Sequence, residues 1–367
     1  MSNVADVLPA SSPEAPAVDE RPRGQYVSTY TELSREVKKA GLLGRCHGFY
    51  WSRIGLTIAA FAAIWVAVAL LEDSWWQLAL AAALAVVTTQ FGYLGHDAAH
   101  QQMFRSAQWN KRIAQVISCG FAGLSYSWWM GKHNKHHNAP NQIGKDPDIK
   151  SNAIAFTPEA AAARTGLYGA YTRRQGWLFF PLLAFEGAAL HVASIRMLLT
   201  ARGQKGRWVE LGCVILRVTV GIALPLVLMP VGLAIAFILV QLALFGILLG
   251  GTFATNHKGM PLVPKTARVD FLRRQVLMSR NVTGGAFISW AMGGLNYQIE
   301  HHLFPSMARP NLRKVAPLVK AHCAKHNVHY TEKSLIESYG IVVRYLNQVG
   351  IGSRDPFQCP LVQEYRV

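Results

Sequence analysis

The chain has 367 residues, of which 51% are hydrophobic and 16% charged, a balance that leans toward membrane proteins and argues against a purely soluble core. Thirty-seven Lys and Arg against 20 Asp and Glu give a formal charge of +17. Beside long apolar stretches, that excess fits basic loops facing anionic lipid rather than nucleic acid, which is not expected as a partner.

Residues 1–25 are rich in Ala, Pro, Ser and acidic side chains and have no apolar core, so a disordered tail is expected rather than a signal peptide. A cytoplasmic or interfacial segment follows over 26–53. Stretches 54–71 and 75–95 each approach the ~20 residues with which a helix crosses a bilayer, contain no Lys or Arg, and are joined only by Glu72, Asp73 and Ser74. They predict a first transmembrane hairpin over 54–95. After a polar region, 96–207, a second pair over 208–228 and 231–254 is broken at Met229 and Pro230 and carries one basic residue, Arg217. This predicts a second hairpin over 208–254, and 255–367 is again polar. Every Lys and Arg except Arg217 falls before the first span, within 96–207, or after 254. The positive-inside rule then makes the termini and both polar regions cytoplasmic. The expected fold is an all-α integral membrane protein, four transmembrane helices in two hairpins under a cytoplasmic helical cap. Two more apolar stretches, 113–130 and 177–195, are read as interfacial helices with Trp128, Trp129 and Trp177 at headgroup level. One extra span would put the histidine clusters on opposite faces, and two would bury Glu186 and His191 in lipid. There is no internal repeat and no β-strand run. The five cysteines, Cys46, Cys119, Cys213, Cys323 and Cys359, are scattered and never form a CxxC pair, which suggests neither a disulfide framework nor a thiolate metal site.

Seven of the 13 histidines sit in three short words: His96 and His100; His133, His136 and His137; His301 and His302. Spacings of three and four residues put each set on one helix face, so three helices can offer nitrogen ligands to one centre. In the third word Gln298 stands where the second word has its first histidine. His257 follows the fourth span at the depth of His96 and is a candidate eighth ligand, the alternative being a helix-end histidine on the C-terminal dipole. His47, His322, His326 and His329 are read as ordinary surface or core histidines. Seven or eight neutral nitrogens without cysteine exceed what one tetrahedral zinc needs and suit two borderline ions such as iron with open positions. Asp97, Asp146, Asp148 and Glu300 are placed to receive imidazole N–H groups, or else are solvated loop acids. The cap is thus expected to hold a His-rich diiron site.

These words resemble the three histidine boxes of the membrane fatty acid desaturases, HxxxH, HxxHH and [HQ]xxHH. The surroundings are also similar to front-end members: His136-His137-Asn138-Ala139-Pro140-Asn141 with Asp146-Pro147-Asp148-Ile149, and Asn296-Tyr297-Gln298-Ile299-Glu300-His301-His302-Leu303-Phe304-Pro305 with Pro310-Asn311-Leu312. The resemblance implies that His96, His100, His133, His136, His137, His301 and His302 bind two irons, with His257 as the family's extra histidine. It leaves Gln298 as a ligand, a water-bridged group or a hydrogen-bonding neighbour, and Asn256, next to His257 in the sequence, is a further candidate hydrogen-bonding neighbour or weak ligand. It implies an O2-dependent acyl desaturase acting on a fatty acyl chain, acyl-CoA before phospholipid or acyl carrier protein. Hydroxylation of a lipid or hydrocarbon by the same site is the alternative, and a zinc-binding transporter or scaffold is the rival from outside redox chemistry. Lys132, Lys135, Arg273 and Arg274 could steer an anionic headgroup, or be ordinary positive-inside charge. No HPGG word of a fused cytochrome b5 occurs in the sequence, so electrons from NAD(P)H are expected through a separate reductase or ferredoxin.

Overall fold

The computed structural model describes residues 23–352, so most of the expected tail, and Cys359, lie outside the described residues. Helix α1 (Arg23–Lys39) is followed by α2 (His47–Leu70) and α3 (Gln77–Ala99), apolar helices joined through Glu72 in the left-handed region at φ 53°. Next, α4 (Ala107–Gln115) runs into a π-helical segment, Val116–Ala122, that stops at Gly123 (φ 72°) before α5 (Tyr126–Asn138). A left-handed residue cannot continue a right-handed helix, so 113–130 is not one helix of spanning length. Short helices α6 (Pro158–Ala162) and α7 (Gly166–Thr172) lead to α8 (Gln175–Leu182), a 3-10 turn at Leu183–Phe185, and α9 (Glu186–Thr200). The second apolar pair is α10 (Arg207–Leu228) and α11 (Val231–His257). Beyond it come α12 (Phe271–Leu277), β1 (Asn281–Thr283), α13 (Ala286–Ala291), α14 (Gln298–Leu303), α15 (Arg309–Lys325), β2 (Glu332–Ser334) and α16 (Leu335–Gly350). The two strands pair in parallel, Asn281 opposite Glu332. Three residues each are too few to show an alternating pattern in sequence.

Among the described residues, five helical segments are long and apolar enough to cross a membrane: His47–Leu70, Gln77–Ala99, Gln175–Thr200, Arg207–Leu228 and Val231–His257. Four coincide with the expected spans to within a few residues at most ends. The other covers 177–195, expected at the interface, and is a 26-residue segment interrupted where Pro181 lacks an N–H and the chain tightens to 3-10 geometry. Leu56, Val66 and Leu70 on α2, and Leu216, Val220 and Val227 on α10, point outward, an apolar surface suited to hydrocarbon.

Inside, α11 packs against α3, α9 and α10. Phe91 stacks on Phe121 at 4.5 Å between ring centroids, and Phe61 meets both edge-on at 5.7 Å. At the α9/α11 crossing the backbones touch. A Cβ on Gly246 would lie 2.3 Å from Leu183 O and 2.5 Å from Gly187 N, and one on Gly187 would lie 2.3 Å from Leu242 O. Glycine is required there because only small residues permit so close an approach. Helix α5 is held at its N-terminus by Glu210 of α10, which accepts from Ser125 Oγ at 2.8 Å, Ser127 N at 3.1 Å, Ser127 Oγ at 2.6 Å and Gln115 Nε2 at 3.1 Å. A carboxylate suits the positive end of a helix. Helices α1, α12, α14 and α15 share a second core of Leu33 and Val37, Leu272 and Val276, Ile299 and Leu303, and Val315 and Val319 respectively.

Replacing Gly246 by Ala should cost about 1–3 kcal/mol by overpacking, whereas Gly232→Ala, with nothing within 4 Å of the added carbon, should be neutral. Melting of the two purified variants in detergent checks this; equal melting temperatures would contradict the close crossing.

Candidate metal centre

The last turn of α3 carries His96, and its C-cap residue is His100. One face of α5 carries His133, His136 and His137, α11 ends on His257, and α14 carries Gln298, His301 and His302. The structure brings all eight imidazoles together in two adjoining groups. His96, His100, His133, His137 and His301 form one, and His136, His257 and His302 the other, with one ring nitrogen from each member within 4.8 Å of the rest of its group.

Within the first group the Nε2 atoms of His100 and His133 are 2.9 Å apart, those of His133 and His137 3.0 Å, and those of His137 and His301 3.2 Å. In the second, His136 and His257 Nε2 are 3.2 Å apart. A ring nitrogen holds either one proton or one lone pair, so the run of four Nε2 atoms can satisfy at most two of its three contacts by hydrogen bonding. His96 Nε2, His301 Nδ1 and His302 Nε2 are buried with no hydrogen-bond partner at all. Ligands at right angles around an ion at about 2.1 Å would be about 3.0 Å apart. The nitrogens therefore fit metal ions better than they fit one another. Burial also favours the neutral, ligating form: it drives His133, His137, His301 and His302 well below the ordinary imidazole value and His100 down to about 3.

In the second group the other ring nitrogen of each member is anchored, which orients the ring. His136 Nδ1 lies 3.0 Å from Asp146, whose carboxylate also takes the N–H of Asn141 at 2.7 Å and of Asp148 at 2.8 Å. His257 Nδ1 faces Met278 O at 2.9 Å and His302 Nδ1 faces Gln275 Oε1 at 2.8 Å. Asp97 approaches His96 Nδ1 only at 3.5 Å and is itself gripped by Arg309, with Nε at 2.7 Å and Nη2 at 2.6 Å. Asp148 lies 3.5 Å from His136 Nδ1 and 3.0 Å from Lys132. Glu300 touches no imidazole: Asn281 Nδ2 at 2.8 Å and Tyr330 OH at 2.6 Å hold it, and burial pushes its carboxyl up to about 7. Asn256 Nδ2 donates to Leu295 O and Gln298 Oε1, both at 3.0 Å, leaving Gln298 Nε2 2.9 Å from His257 Nε2. So oriented, Gln298 offers donors to the second group.

Sequence reasoning missed Gln275, Arg309 and the Met278 carbonyl, which no spacing marks. Of the expected headgroup contacts, Lys132 lines a cavity beside the imidazoles, and Lys135 is exposed. Arg273 is buried against Asp270, and Arg274 donates to Asn138 O and Val269 O, both at 3.0 Å. The cavity has a volume of about 520 Å³, within the range of small-molecule sites. His96, His133, His136 and His257 form part of its wall; Phe253, Leu249, Leu190, Leu183 and Phe179 make an apolar wall; and Lys132, Asp148, Lys150, Glu186 and Lys258 supply charge. Phe253 packs 6.3 Å from the His96 ring and 6.5 Å from that of His133. Lys258 Nζ donates to Asp148 O at 2.8 Å and lies over the Phe156 ring.

Residues 73–334 match the family model described as fatty acid desaturase. The mouse fatty acid desaturase 2-like protein FADS2B is 28% identical over 92% of this chain and 69% of its own length. An acyl-lipid (9-3)-desaturase of Physcomitrium patens is 31% identical over 89% of this chain and 64% of its own. The delta(6)-fatty-acid desaturase fat-3 of Caenorhabditis elegans is 28% identical over 89% and 75%. With its histidine clusters, its apolar helices and this similarity, the chain belongs to the fatty acid desaturase family and is an oxidoreductase of fatty acyl chains.

Proposed function

We propose that this desaturase holds two irons on His96, His100, His133, His136, His137, His257, His301 and His302, and introduces a cis double bond into an acyl-CoA. The observation that carries the reading is the meeting of two unsatisfied imidazole groups with an apolar cavity. Irons bound there would supply the O2-dependent oxidation that an unactivated methylene requires. The chain's own residues do the rest. Phe253, Leu249 and Leu183 exclude water and line the path of a methylene chain past His96 and His133. Asp146, Gln275 and the Met278 carbonyl keep a proton on Nδ1 of His136, His302 and His257 and so leave Nε2 free to ligate. Lys132, Lys150 and Lys258 outnumber Asp148 and Glu186 in the cavity wall, a net positive balance that favours an anionic carrier over a neutral one.

Reducing O2 to two waters takes four electrons. Two come with the two hydrogens removed from the acyl chain; the other two come from a separate reductase or ferredoxin fed by NAD(P)H. Four helices cross the membrane on this reading and Gln175–Thr200 does not. His96 ends α3 and His257 ends α11, and their groups adjoin, so an even number of crossings separates them; α10 and α11 supply two. The Lys and Arg outside the spans make the site's side cytoplasmic.

Purified chain should contain about two irons and convert a saturated acyl-CoA to a monoene when a reductase and O2 are supplied, with the double bond located by mass spectrometry. A hydroxylated product would favour the hydroxylase, and zinc without iron or oxygen uptake would overturn the reading. His137→Ala and His301→Ala should remain in the membrane, bind fewer than two irons and lose product; retained iron and activity in both would refute the ligand set. Phe253→Ala should retain iron but lower the rate about 10-fold and yield more than one positional isomer. An unchanged isomer pattern at unchanged rate would remove Phe253 from the path.

A further inference from the structure

Away from the box histidines, α1 and α15 bring a third set of ligating groups together. Helix α15 ends in His322 and, at its C-cap, His326, one turn apart with ring centroids 4.4 Å from each other. Facing them on α1 is Glu32, whose Oε2 lies 3.5 Å from His326 Nε2 and whose other oxygen is paired with Lys325. One ligand atom from each of His322, His326 and Glu32 lies within 4.8 Å of the other two. His322 is only 4% exposed, and its Nε2 is buried without a hydrogen-bond partner, while His326 Nε2 meets only the Glu32 carboxylate at 3.5 Å. A buried imidazole nitrogen left unpartnered costs free energy that a proton donor or a cation would recover. Neither is supplied by the chain at that atom.

We propose that His322, His326 and Glu32 form a separate binding site for a zinc-class divalent ion that clips α1 to α15. Two imidazoles and one carboxylate are a recurrent zinc ligand set that keeps a fourth position for water, and closing from the present spacing to about 2.0–2.2 Å needs only side-chain rotation. Glu36, one turn further along α1 and near enough to act on the charge of His322, can take the fourth position instead.

The consequence reaches the third histidine word. Tyr30 of α1 donates to Leu303 O of α14 at 2.9 Å and stacks on Phe304, and Leu33 and Val37 pack in one core with Ile299 and Leu303. An ion joining α1 to α15 would fasten the cover behind His301 and His302 without touching them.

The test uses the iron-loaded, full-length protein in detergent, equilibrated with zinc chloride, freed of loosely bound metal and assayed for both elements. The wild type should retain about one zinc more per chain than His326→Gln or Glu32→Gln, at equal iron. Zinc should raise its melting temperature by about 2 °C or more, with no rise in the variants. Equal zinc in wild type and variants, or zinc that only displaces iron, would overturn the proposal. So would loss of iron together with zinc in these variants, both at partly exposed positions, since the residues would then merely support the cap.

Discussion

Lone pairs that face lone pairs set the terms for this structure. Imidazole nitrogens about 3 Å apart in a buried space repel unless protons or cations lie between them, and protons are too few because each nitrogen carries at most one. Burial removes the remaining escape, since it disfavours the charged imidazolium. A fold that keeps eight such rings together therefore needs other contacts to hold them. For His136, His302 and His257 these are the carboxylate of Asp146, the amide of Gln275 and the carbonyl of Met278.

The membrane helices can be read as the means of meeting that requirement. His96 and His257 sit at the ends of α3 and α11, and these two helices pack along each other. Their depth is set by apolar length rather than by loop geometry, which suits a centre that tolerates little displacement. Helix α5, which brings three imidazoles, is tied instead by Glu210 reaching from the start of α10 to its N-terminus. Arg309 connects the region after α14 to Asp97 beside His96, and its backbone N–H donates to Tyr50 OH of α2 at 3.0 Å. The sequence-distant parts of the centre are thus cross-braced by buried ionic and polar contacts, whose value lies in orientation more than in net stability.

Much of this was legible in the sequence because two periodicities are strong. Uninterrupted apolar runs marked four of the five long apolar helices, and the three- and four-residue histidine spacings marked the faces that converge. What stayed hidden has no local signature. Gln275 and Arg309 look like any cap residue until the chain folds, and Glu300 looks like a partner for imidazole yet lies against Tyr330 and Asn281. His322 and His326 read as ordinary because their partner, Glu32, is nearly three hundred residues away. Stretch 177–195 was ambiguous for a physical reason: composition reports affinity for lipid, not whether a helix passes through it.

That ambiguity bears on how the cavity exists at all. The segment 175–200 is not uniformly α-helical: it holds Pro181 and passes through a 3-10 turn at Leu183–Phe185. On one side of the turn α8 packs against α16, and on the other α9 crosses α11 at Gly187 and Gly246, backbone to backbone. Phe179, Leu183, Glu186 and Leu190, from within and either side of the turn, all line the cavity. If this segment enters the bilayer without crossing it, as proposed, it leaves the two histidine-bearing helix ends on one side. The cavity that it lines reaches His96, His133, His136 and His257. A substrate that is mostly methylene, with a charged carrier at one end, needs both.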